Sequence, residues 1–591
     1  MLCTNLGGQT MKVFIDLFWF FKQEKKAYLI GIAMLLFVAM LQLIPPKIIG
    51  IIVDEISMST LTSKKITFLL AALIMTAVLM YLFRFFWRKM IFGSAVKLAN
   101  QLRRELFHHF TKMSQSFYQR KRVGDLMAHA TNDLQAIQQT AGLGVLTFVD
   151  SLATGGFVII AMATTISWKL TLICLIPLPI MAILTNLYGS MLHKRFHKAQ
   201  QAFSSLNDKT QESVTGIKVI KTFGQEKEDV EDFRKLSQEV VEKNIAVSKV
   251  DALFDPTISL IIGISFFLSL AFGSKFVLNH ELTIGELVSF TTYLGLLIWP
   301  MLAFGMLFNI IERGRASNDR VKTLLREKSE IIDDIDAICE IPSGDLTFTI
   351  DHFTYPEEQR PVLKDIRFTL NGGETLGIVG KTGAGKTTLL KLLTREFDAK
   401  GIEIAGQPLQ KYKIEKLLEA IGYVPQEHFL FSATVKENIA FTNPDASIES
   451  IYQAAKLANI HDDILQFTDG YDTVVGERGV SLSGGQKQRI SIVRALMMDP
   501  EILLLDDSLS AVDAKTEEMI LTALRENRKG KTTIISAHRL SAIEHADLII
   551  VLDEGKIVQN GTHEQLMKEE DGWYKEMYLH QQLEQLVEHG G

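Results

Sequence analysis

The stretch GKTGAGKTT at residues 380–388 restricts the fold more than any other part of the chain. Gly380, Gly385, Lys386 and Thr387 fill the pattern G-x-x-x-x-G-K-[ST], after an apolar run and before a short helical pattern. Glycines let backbone N–H groups close around phosphate oxygens, and a helix N-terminus adds positive potential. We therefore predict a strand, a phosphate-binding loop and a helix, and not a chance glycine-rich turn.

In this loop Lys386 is expected to reach the outer phosphates of a nucleoside triphosphate, and Thr387 is expected to bind Mg²⁺. The other predicted contacts with the nucleotide are Thr382, Gly383, Ala384 and Thr388.

Long apolar runs fill the first half of the chain. Six of them come near the roughly 20 residues that a helix needs to cross a bilayer. They lie at residues 28–53, 66–87, 142–166, 170–192, 254–277 and 284–311. Prolines inside several spans predict kinks, which a membrane bundle tolerates; these are Pro45, Pro46, Pro177, Pro179 and Pro300.

The loops between the spans alternate in length, and the two long ones are charged. Residues 88–141 and 193–253 carry many basic side chains, which places these loops and both termini in the cytoplasm. Their apolar residues recur at helical spacing, so we expect helical extensions and not disordered loops. Residues 1–27 form an N-terminal segment, in which residues 11–26 are interpreted as an interfacial helix or, alternatively, as the first turn of the following span.

Composition excludes several other classes of protein. The net charge of −6 gives no indication of nucleic-acid binding. Cys3, Cys174 and Cys339 lie far apart in the chain, which argues against a disulfide framework and against a zinc site. Neither a cleavable signal peptide nor an organelle-targeting segment is evident, so we expect a multi-pass protein of a bacterial plasma membrane.

The second half of the chain has the pattern of a soluble α/β domain. Residues 28–319 are assigned to the membrane domain, residues 320–345 to a charged linker, and residues 346–591 to alternating strands and helices with a helical tail. The predicted fold class is therefore a membrane α-helical bundle of six transmembrane helices with long cytoplasmic extensions, joined to an α/β phosphate-loop domain.

Further residues of this domain suit nucleotide chemistry. The run ILLLD predicts a buried strand that ends in Asp506, which is placed to hold Mg²⁺, and Asp507 follows where a general base would lie. Tyr355 could stack on a base. The run SLSGGQ predicts a second anion site at a helix N-terminus; its residues are Ser483, Gly484, Gly485 and Gln486. Within one domain that site would lie too far from the phosphate loop to share a ligand.

A phosphate loop together with LSGGQ resembles the ATP-binding cassette (ABC) family, and six spans before one cassette resemble its half-transporter exporters. The resemblance implies that ATP and Mg²⁺ bind at Tyr355, the phosphate loop and Asp506. It further implies that Gln426 senses Mg²⁺ and the membrane part, and that His538 binds the γ-phosphate. The remaining matches are an exporter loop at residues 475–479, a dimer-contact loop at 510–513, and regions that carry coupling helices at 123–127 and 216–226.

Asp507 departs from the family pattern, which has Glu at this position. An aspartate withdraws the carboxylate by about 1.5 Å, one C–C bond length. Misplacement by about 1 Å can lower a rate on the order of 10²-fold. We therefore expect a site that binds ATP and hydrolyses it slowly, unless the loop adjusts.

Such a degenerate site resembles the BmrC-type subunits of bacterial heterodimeric multidrug exporters. The resemblance implies a second, different ABC half-transporter as partner, whose competent site would be completed by this chain's Ser483, Gly484, Gly485 and Gln486. A homodimeric lipid or drug exporter, and an ATP-gated channel or regulatory membrane subunit, are the alternatives.

The expected cargo is an amphipathic and possibly cationic small molecule, and membrane lipids surround the spans. Polar residues at membrane depth are candidates for contact with it: Gln42, Arg84, Asp150, Asp255, Glu286 and Asn309. The alternative for each is mutual pairing or a place near the headgroups. Phe83, Phe85, Phe86 and Trp87 line either the cavity or the lipid.

Overall fold

The computed structural model of the protein describes residues 12–356, 358–476 and 480–589, with the backbone alone at residues 182, 186, 304, 305, 308 and 585–589. The chain divides into two compact units. The first holds the residues up to Thr111 together with Arg122–Glu327, and the second holds Lys112–Lys121 together with Lys328–Gly591. A short segment from the membrane half of the sequence thus groups with the soluble half.

The described part of the first unit is built from α-helices that are joined in places by single π-helical turns. In chain order the helices up to residue 326 are α1 (Lys12–Asp16), α2 (Phe18–Gln23), α3 (Lys25–Leu41), α4 (Ile44–Ser57), α5 (Ser63–Thr111), α6 (Gln115–Arg120), α7 (Val123–Ala128), α8 (Leu134–Gln139), α9 (Val145–Met162), α10 (Trp168–Leu175), α11 (Pro177–Thr215), α12 (Ile217–Phe223), α13 (Glu226–Asp251), α14 (Phe254–Leu278), α15 (Ile284–Leu296) and α16 (Ile298–Arg326). The π-helical turns are His129–Asp133, Thr140–Gly144 and Ala163–Ser167.

Breaks between these helices lie just before the prolines. Helix α3 ends before Pro45 and Pro46, α10 ends before Pro177, and α15 ends before Pro300. A proline ring clashes with the carbonyl one turn earlier and removes a helical hydrogen bond, so the chain interrupts the helix there. The predicted kinks are confirmed at these places.

Apolar surface on the first unit is widely exposed. Among the described residues, five helical stretches are long and apolar enough to cross a membrane: Lys25–Ser57, Ser63–Thr111, Val123–Leu175, Glu226–Leu278 and Ile284–Ala303. All six predicted spans fall in or overlap these stretches. The one at 170–192 does so only at residues 170–175, and the rest of it lies mainly in α11, where two of its side chains lie outside the description.

Polar residues hold the ends of the bundle together. The Asp54 carboxylate accepts hydrogen bonds from the Thr283 hydroxyl and the Gly285 N–H, each at 2.7 Å, and so caps α15. A Cβ at Gly285 would lie 2.0 Å from the Gly50 carbonyl oxygen, so α4 and α15 touch through glycine backbone. Asp133, Ser317 and Arg320 form a partly buried hydrogen-bond network, which joins α16 to the turn before α8.

The long loops are helical, as predicted. Helices α5 and α11 continue for many residues beyond the predicted spans, and α13 lies wholly within the predicted loop at 193–253. Helix α16 likewise runs on to Arg326, into the stretch predicted as the linker. The residues that group with the soluble unit, Lys112–Lys121, lie just before the predicted coupling run at 123–127.

The second unit is an α/β domain with two principal sheets. Its strands are β1 (Leu346–Phe353), β2 (Leu363–Leu370), β3 (Thr375–Gly380), β4 (Ile402–Ile404), β5 (Gln407–Pro408), β6 (Ile421–Val424), β7 (Ala433–Thr434), β8 (Val474–Val475), β9 (Ile502–Asp506), β10 (Thr532–Ser536), β11 (Leu548–Asp553) and β12 (Lys556–Gly561). The helices are α17 (Lys386–Leu393), α18 (Ile414–Ala420), α19 (Val435–Ile439), α20 (Ile448–Leu457), α21 (His461–Leu465), α22 (Gly484–Leu496), α23 (Ala514–Asn527), α24 (His563–Lys568) and α25 (Trp573–His589).

The larger sheet has the order β12-β11-β3-β10-β9-β6, with all neighbours parallel except β12 and β11. Side chains of β9 alternate between its two faces: Leu503 and Leu505 join one hydrophobic core, and Leu504 joins the other. Helices cover both faces, which explains why ILLLD is continuously apolar. The smaller sheet is antiparallel, with the order β2-β1-β4-β5.

Candidate functional site

The candidate site lies at the carboxyl ends of three parallel strands. In the pairing register Asp506 of β9 is opposite Ser536 of β10, and Ser536 is opposite Ile378 of β3, two residues before Gly380. Residues that follow the ends of these strands therefore meet at one edge of the sheet. In open parallel sheets ligands bind at this edge.

Two glycines of the phosphate loop are required by close contacts. A Cβ at Gly380, where φ is +147°, would lie 2.0 Å from the Leu552 carbonyl oxygen. Gly385 has φ of +103°, and a Cβ there would lie 2.6 Å from the Leu363 side chain. Both positions thus combine a left-handed backbone with too little space for any other residue. Thr382 and Gly383 are exposed, and Ala384 is buried.

Lys386 is buried at the start of α17. Its ammonium donates to the carbonyl oxygens of Gly380 at 2.7 Å and of Lys381 at 3.3 Å. Burial lowers the pKa of Lys386, and the charges of Asp507 and Asp506 oppose this effect. The ammonium therefore binds the carbonyls of its own loop near two carboxylates. A phosphate anion could replace these carbonyls as its hydrogen-bond partner.

Hydroxyl groups surround the Asp506 carboxylate. The Thr387 hydroxyl donates to Oδ1 at 3.1 Å, and the Tyr423 hydroxyl donates to Oδ2 at 3.4 Å. Burial raises the pKa of Asp506, and the neighbouring hydroxyls of Thr387, Ser536 and Tyr423 work against it. A buried carboxylate without a paired cation suits a divalent metal ion.

The donor set of this site fits Mg²⁺. Thr387 and Asp506 supply hard oxygen ligands, and the carboxamide of Gln426, which contacts the adjacent Asp507, carries a further oxygen of this type. Among the described residues, no group of three or more His, Cys, Asp and Glu side chains could hold a metal ion. Mg²⁺ needs no such group, because it is usually bound by one or two protein ligands together with phosphates and waters.

Asp507 has an unusual backbone. Its φ is +48°, in the left-handed region, where aspartate is tolerated better than most residues. The Asp507 N–H donates to the Ser536 carbonyl at 2.9 Å, and the Ser510 hydroxyl donates to the Asp507 carbonyl at 3.0 Å. The Gln426 side chain donates to Asp507 Oδ2 at 3.3 Å. The structure thus brings Gln426 and Asp507 together, with the carboxylate engaged by the amide.

A small cavity of about 90 Å³ joins Asp507 to His538. The His538 side chain is exposed, and its carbonyl accepts from the Gln581 side chain at 2.9 Å. Glu517, buried in the same cavity wall, accepts from Arg539 at 3.0 Å. Burial raises the pKa of Glu517 and the Arg539 charge opposes it, so an ion pair holds the residue next to His538 in place.

Tyr355 is anchored beside the same loop. Its hydroxyl shares a hydrogen bond of 2.9 Å with the Thr388 hydroxyl. The Phe353 and Phe397 rings meet the tyrosine ring edge-on, with centroids at 5.2 and 5.0 Å. The tyrosine is therefore fixed in orientation next to the start of α17, as a stacking platform requires.

The signature residues form the N-terminus of a separate helix, α22. The Ser483 hydroxyl accepts from the Gln486 N–H at 3.2 Å, and Gln486 Oε1 accepts from the Ser483 N–H at 3.0 Å. This reciprocal capping box preorganises the turn. A Cβ at Gly485 would lie 2.9 Å from the Ala511 carbonyl oxygen, so this glycine lets the loop pack closely; Gly484 opens the helix.

Gln488 connects this helix to the strand end. Its side chain donates to the Ser510 hydroxyl at 3.3 Å and accepts from the Ala511 N–H at 3.0 Å. Ser510 in turn donates to the Asp507 carbonyl. Among the described residues, no hydrogen bond joins the signature residues directly to the phosphate loop. The signature helix is instead connected to Asp507 through Ser510 and Ala511.

Sequence reasoning missed Tyr423, Ser536, Glu517 and Gln488. Tyr423 lies three residues before Gln426, and Ser536 lies two before His538, so proximity to assigned residues was the available signal. Glu517 and Gln488 lie on helices, where their long polar side chains resemble solvent-facing ones. The predicted exporter loop at 475–479 lies mostly outside the described residues.

Both halves of the chain are similar to known proteins. The family model described as "ABC transporter transmembrane region" matches residues 28–301, and the model "ABC transporter" matches residues 363–510. A "Probable multidrug resistance ABC transporter ATP-binding/permease protein YheI" of Bacillus subtilis is 47% identical, over 96% of this chain and 97% of its own. A "Multidrug resistance-like ATP-binding protein MdlA" of Escherichia coli is also 47% identical, over 97% of both chains.

A solved structure shares the whole architecture. It is described as a bacterial Atm1-family ABC exporter with ATP bound, and the similarity has a TM-score of 0.78 at 26% identity. It covers 94% of this chain and 98% of the other. The predicted fold class, a helical membrane domain joined to a phosphate-loop cassette, is confirmed.

Replacing Lys386 tests the phosphate loop. We expect Lys386→Ala to weaken ATP binding by at least about tenfold, because a hydrogen bond to a charged group is worth about 1.5–3 kcal/mol. Binding is measured by photolabelling of this chain with an azido-ATP. Lys381→Ala is the matched control, since it removes an exposed lysine of the same loop and should label normally. Equal labelling of the two variants would refute the assignment.

Proposed function

Because the chain belongs to the ABC transporter family, with a membrane region and an ATP-binding region in one polypeptide, we propose that it uses ATP to export amphipathic drugs or other hydrophobic compounds. The proposed location is a bacterial plasma membrane, with both termini in the cytoplasm. Support for the drug class comes from the two relatives that are named for multidrug resistance and that match along nearly their entire length. Support for the direction comes from the exporter architecture of the solved neighbour.

Within the site we propose the following roles. Lys386 and the loop N–H groups bind the phosphates, and Thr387 and Asp506 hold Mg²⁺, which neutralises phosphate charge when bound. Tyr355 stacks on the base. Gln426 links the metal region to Asp507, and His538 faces the γ-phosphate.

Asp507 is the single observation that favours an asymmetric machine. The family pattern puts Glu here, and the shorter side chain is already engaged by Gln426 at 3.3 Å. We propose that this site binds ATP well and hydrolyses it slowly. The intact signature, Ser483 to Gln486, would then complete the competent site of a second, different ABC half-transporter.

A homodimer is the second candidate. Its support is that the relatives named for multidrug resistance match this chain along nearly their whole length, each with the membrane and ATP-binding parts in one polypeptide as here. In that arrangement Asp507 serves both sites. An ATP-gated channel or a regulatory subunit differs from the two exporter assemblies, because a channel or regulatory subunit would not move cargo against its concentration gradient.

The candidate cargo residues differ in what they already contact. The Asp150 carboxylate accepts from the Thr154 hydroxyl at 3.1 Å, and Arg84 is close enough to interact with its charge. Glu286 accepts from the Thr283 N–H at 2.9 Å in the capping box of α15, so it has a structural role. Phe85 and Phe86 are exposed, and Trp87 is buried. Asp150 remains our first candidate for attracting a cationic cargo.

Transport itself is tested in inverted membrane vesicles. We expect ATP to drive a cationic amphipathic dye into vesicles against its gradient, and we expect Lys386→Ala to lower this uptake strongly because ATP binds more weakly at this site. Dye accumulation is followed by fluorescence. Flux that only runs down the gradient, or that ignores ATP, would contradict an exporter and favour a channel.

Subunit composition decides between the two assemblies. We expect the complex extracted gently from its own host membrane to contain a second, different ABC half in a one-to-one ratio. Native mass spectrometry measures both the mass and the identity of the subunits. A dimer of this chain alone would overturn the heterodimer.

A change at residue 507 tests the slow site directly. We expect Asp507→Glu to raise the ATP turnover of the assembled complex toward the sum of two working sites, because the carboxylate is extended by one methylene. Asp507→Asn keeps the size of the aspartate without its charge, and should not raise turnover. An unchanged rate in Asp507→Glu, with normal assembly, would show that the short carboxylate is not limiting.

A further inference from the structure

One cavity of the second unit is lined from two distant parts of the sequence. It has a volume of about 270 Å³ and lies beside Tyr355. The cassette contributes Lys391 and Phe397 to its wall. Helix α6, which precedes the cassette by more than two hundred residues and groups with it in one unit, contributes Gln119 and Arg120.

Tyr355 marks this cavity as the place of the base. The tyrosine hydroxyl is tied to Thr388, next to Thr387 of the phosphate loop. Phe353 and Phe397 meet the ring edge-on and do not stack on it. A base stacked on Tyr355 therefore has its edge in the cavity, where polar side chains can contact it.

The position of α6 is fixed by one carboxylate. Glu330 accepts from the Ser116 hydroxyl at 2.6 Å and pairs with Arg120 at 2.6 Å. Phe117, between these two residues, is buried. The Arg120 guanidinium is already paired with Glu330. Gln119 also lines the cavity and is exposed, and its carboxamide can both donate and accept.

We propose that Gln119 recognises the edge of adenine and so determines the base preference of this ATP site. The proposal rests on the nucleotide site proposed above and adds a specificity-determining residue to it. Adenine carries an amino group beside a ring nitrogen, which is a donor next to an acceptor. A carboxamide matches this pair, since its oxygen accepts and its N–H donates.

Glu358 also lines the cavity, and it is the competing candidate. A carboxylate can only accept, so it would contact the amino group but not the ring nitrogen. It would also be attracted to Lys391 in the same wall. Gln119 is the cavity residue that satisfies both positions of the adenine edge.

The recognition has a consequence for coupling. Helix α6 follows α5 in the chain after only a short turn, and α5 includes a predicted span. A base that binds Gln119 therefore restrains a segment joined directly to a membrane helix. The membrane domain would then respond to nucleotide binding through the contact of α6 with the base, in addition to the contacts that the cassette makes with the phosphates.

The test compares two nucleotides on two matched variants. ATP and purine riboside triphosphate differ only in the 6-amino group, and each competes with an azido-ATP that photolabels this chain in the full-length complex. In the unmodified protein we expect ATP to compete about fivefold better, the value of one hydrogen bond. In Gln119→Ala we expect this preference to vanish, with purine riboside triphosphate weakened only by the loss of the hydrogen bond to its ring nitrogen and ATP weakened by the loss of both bonds. Gln115→Ala, on the same helix but outside the cavity, should keep the preference.

Three outcomes would overturn the proposal. They are an intact preference in Gln119→Ala, a loss of preference in Gln115→Ala, and a loss in Glu358→Ala alone. Failure of the underlying nucleotide site has a different signature, because labelling would then survive Lys386→Ala. Weaker binding of both nucleotides to Gln119→Ala, with the fivefold ratio kept, would show a structural role and would also refute base recognition.

Discussion

The parallel pairing of β3, β10 and β9 is the constraint on which the site depends. Each of these strands ends at the same edge of the sheet, so the loop after Gly380, the carboxylate of Asp506 and the hydroxyl of Ser536 must meet there. Apolar side chains on both faces keep the strands in register, because a slip by one residue would exchange the two cores. The burial that secures the register also desolvates Lys386 and Asp506. Their perturbed pKa values are consequences of the same packing.

Much of this architecture could be predicted from the sequence. The phosphate loop, the buried strand before Asp506 and the proline breaks each follow from local patterns with a strong physical cause. The long helical extensions follow from apolar residues at helical spacing. These features depend on neighbours in the chain, which a sequence displays directly.

The remainder depends on contacts between distant residues. Nothing local to Gln119 indicates that it borders the cavity beside Tyr355, because that contact exists only through the fold. The left-handed backbone of Asp507 could not be predicted for the same reason. Its neighbours in sequence do not indicate it, and the carbonyl that its N–H contacts is that of Ser536 at the end of another strand, β10. The helix break at Leu297 was predictable from Pro300, whereas the network that ties Ser317 and Arg320 of α16 to Asp133 joins residues more than 180 positions apart.

The links around Asp507 bear on how an asymmetric pair would work. Gln488 of the signature helix holds Ser510 and Ala511, and Ser510 holds the Asp507 carbonyl. In the proposed dimer the signature faces the partner's nucleotide, whereas Asp507 faces this chain's own. A displacement of the signature helix would therefore strain the backbone at Asp507, which already lies in a sparsely populated region. A slowly hydrolysing site would hold Asp507 in place for longer, and through Ser510 and Gln488 it would steady the signature that the partner's competent site requires.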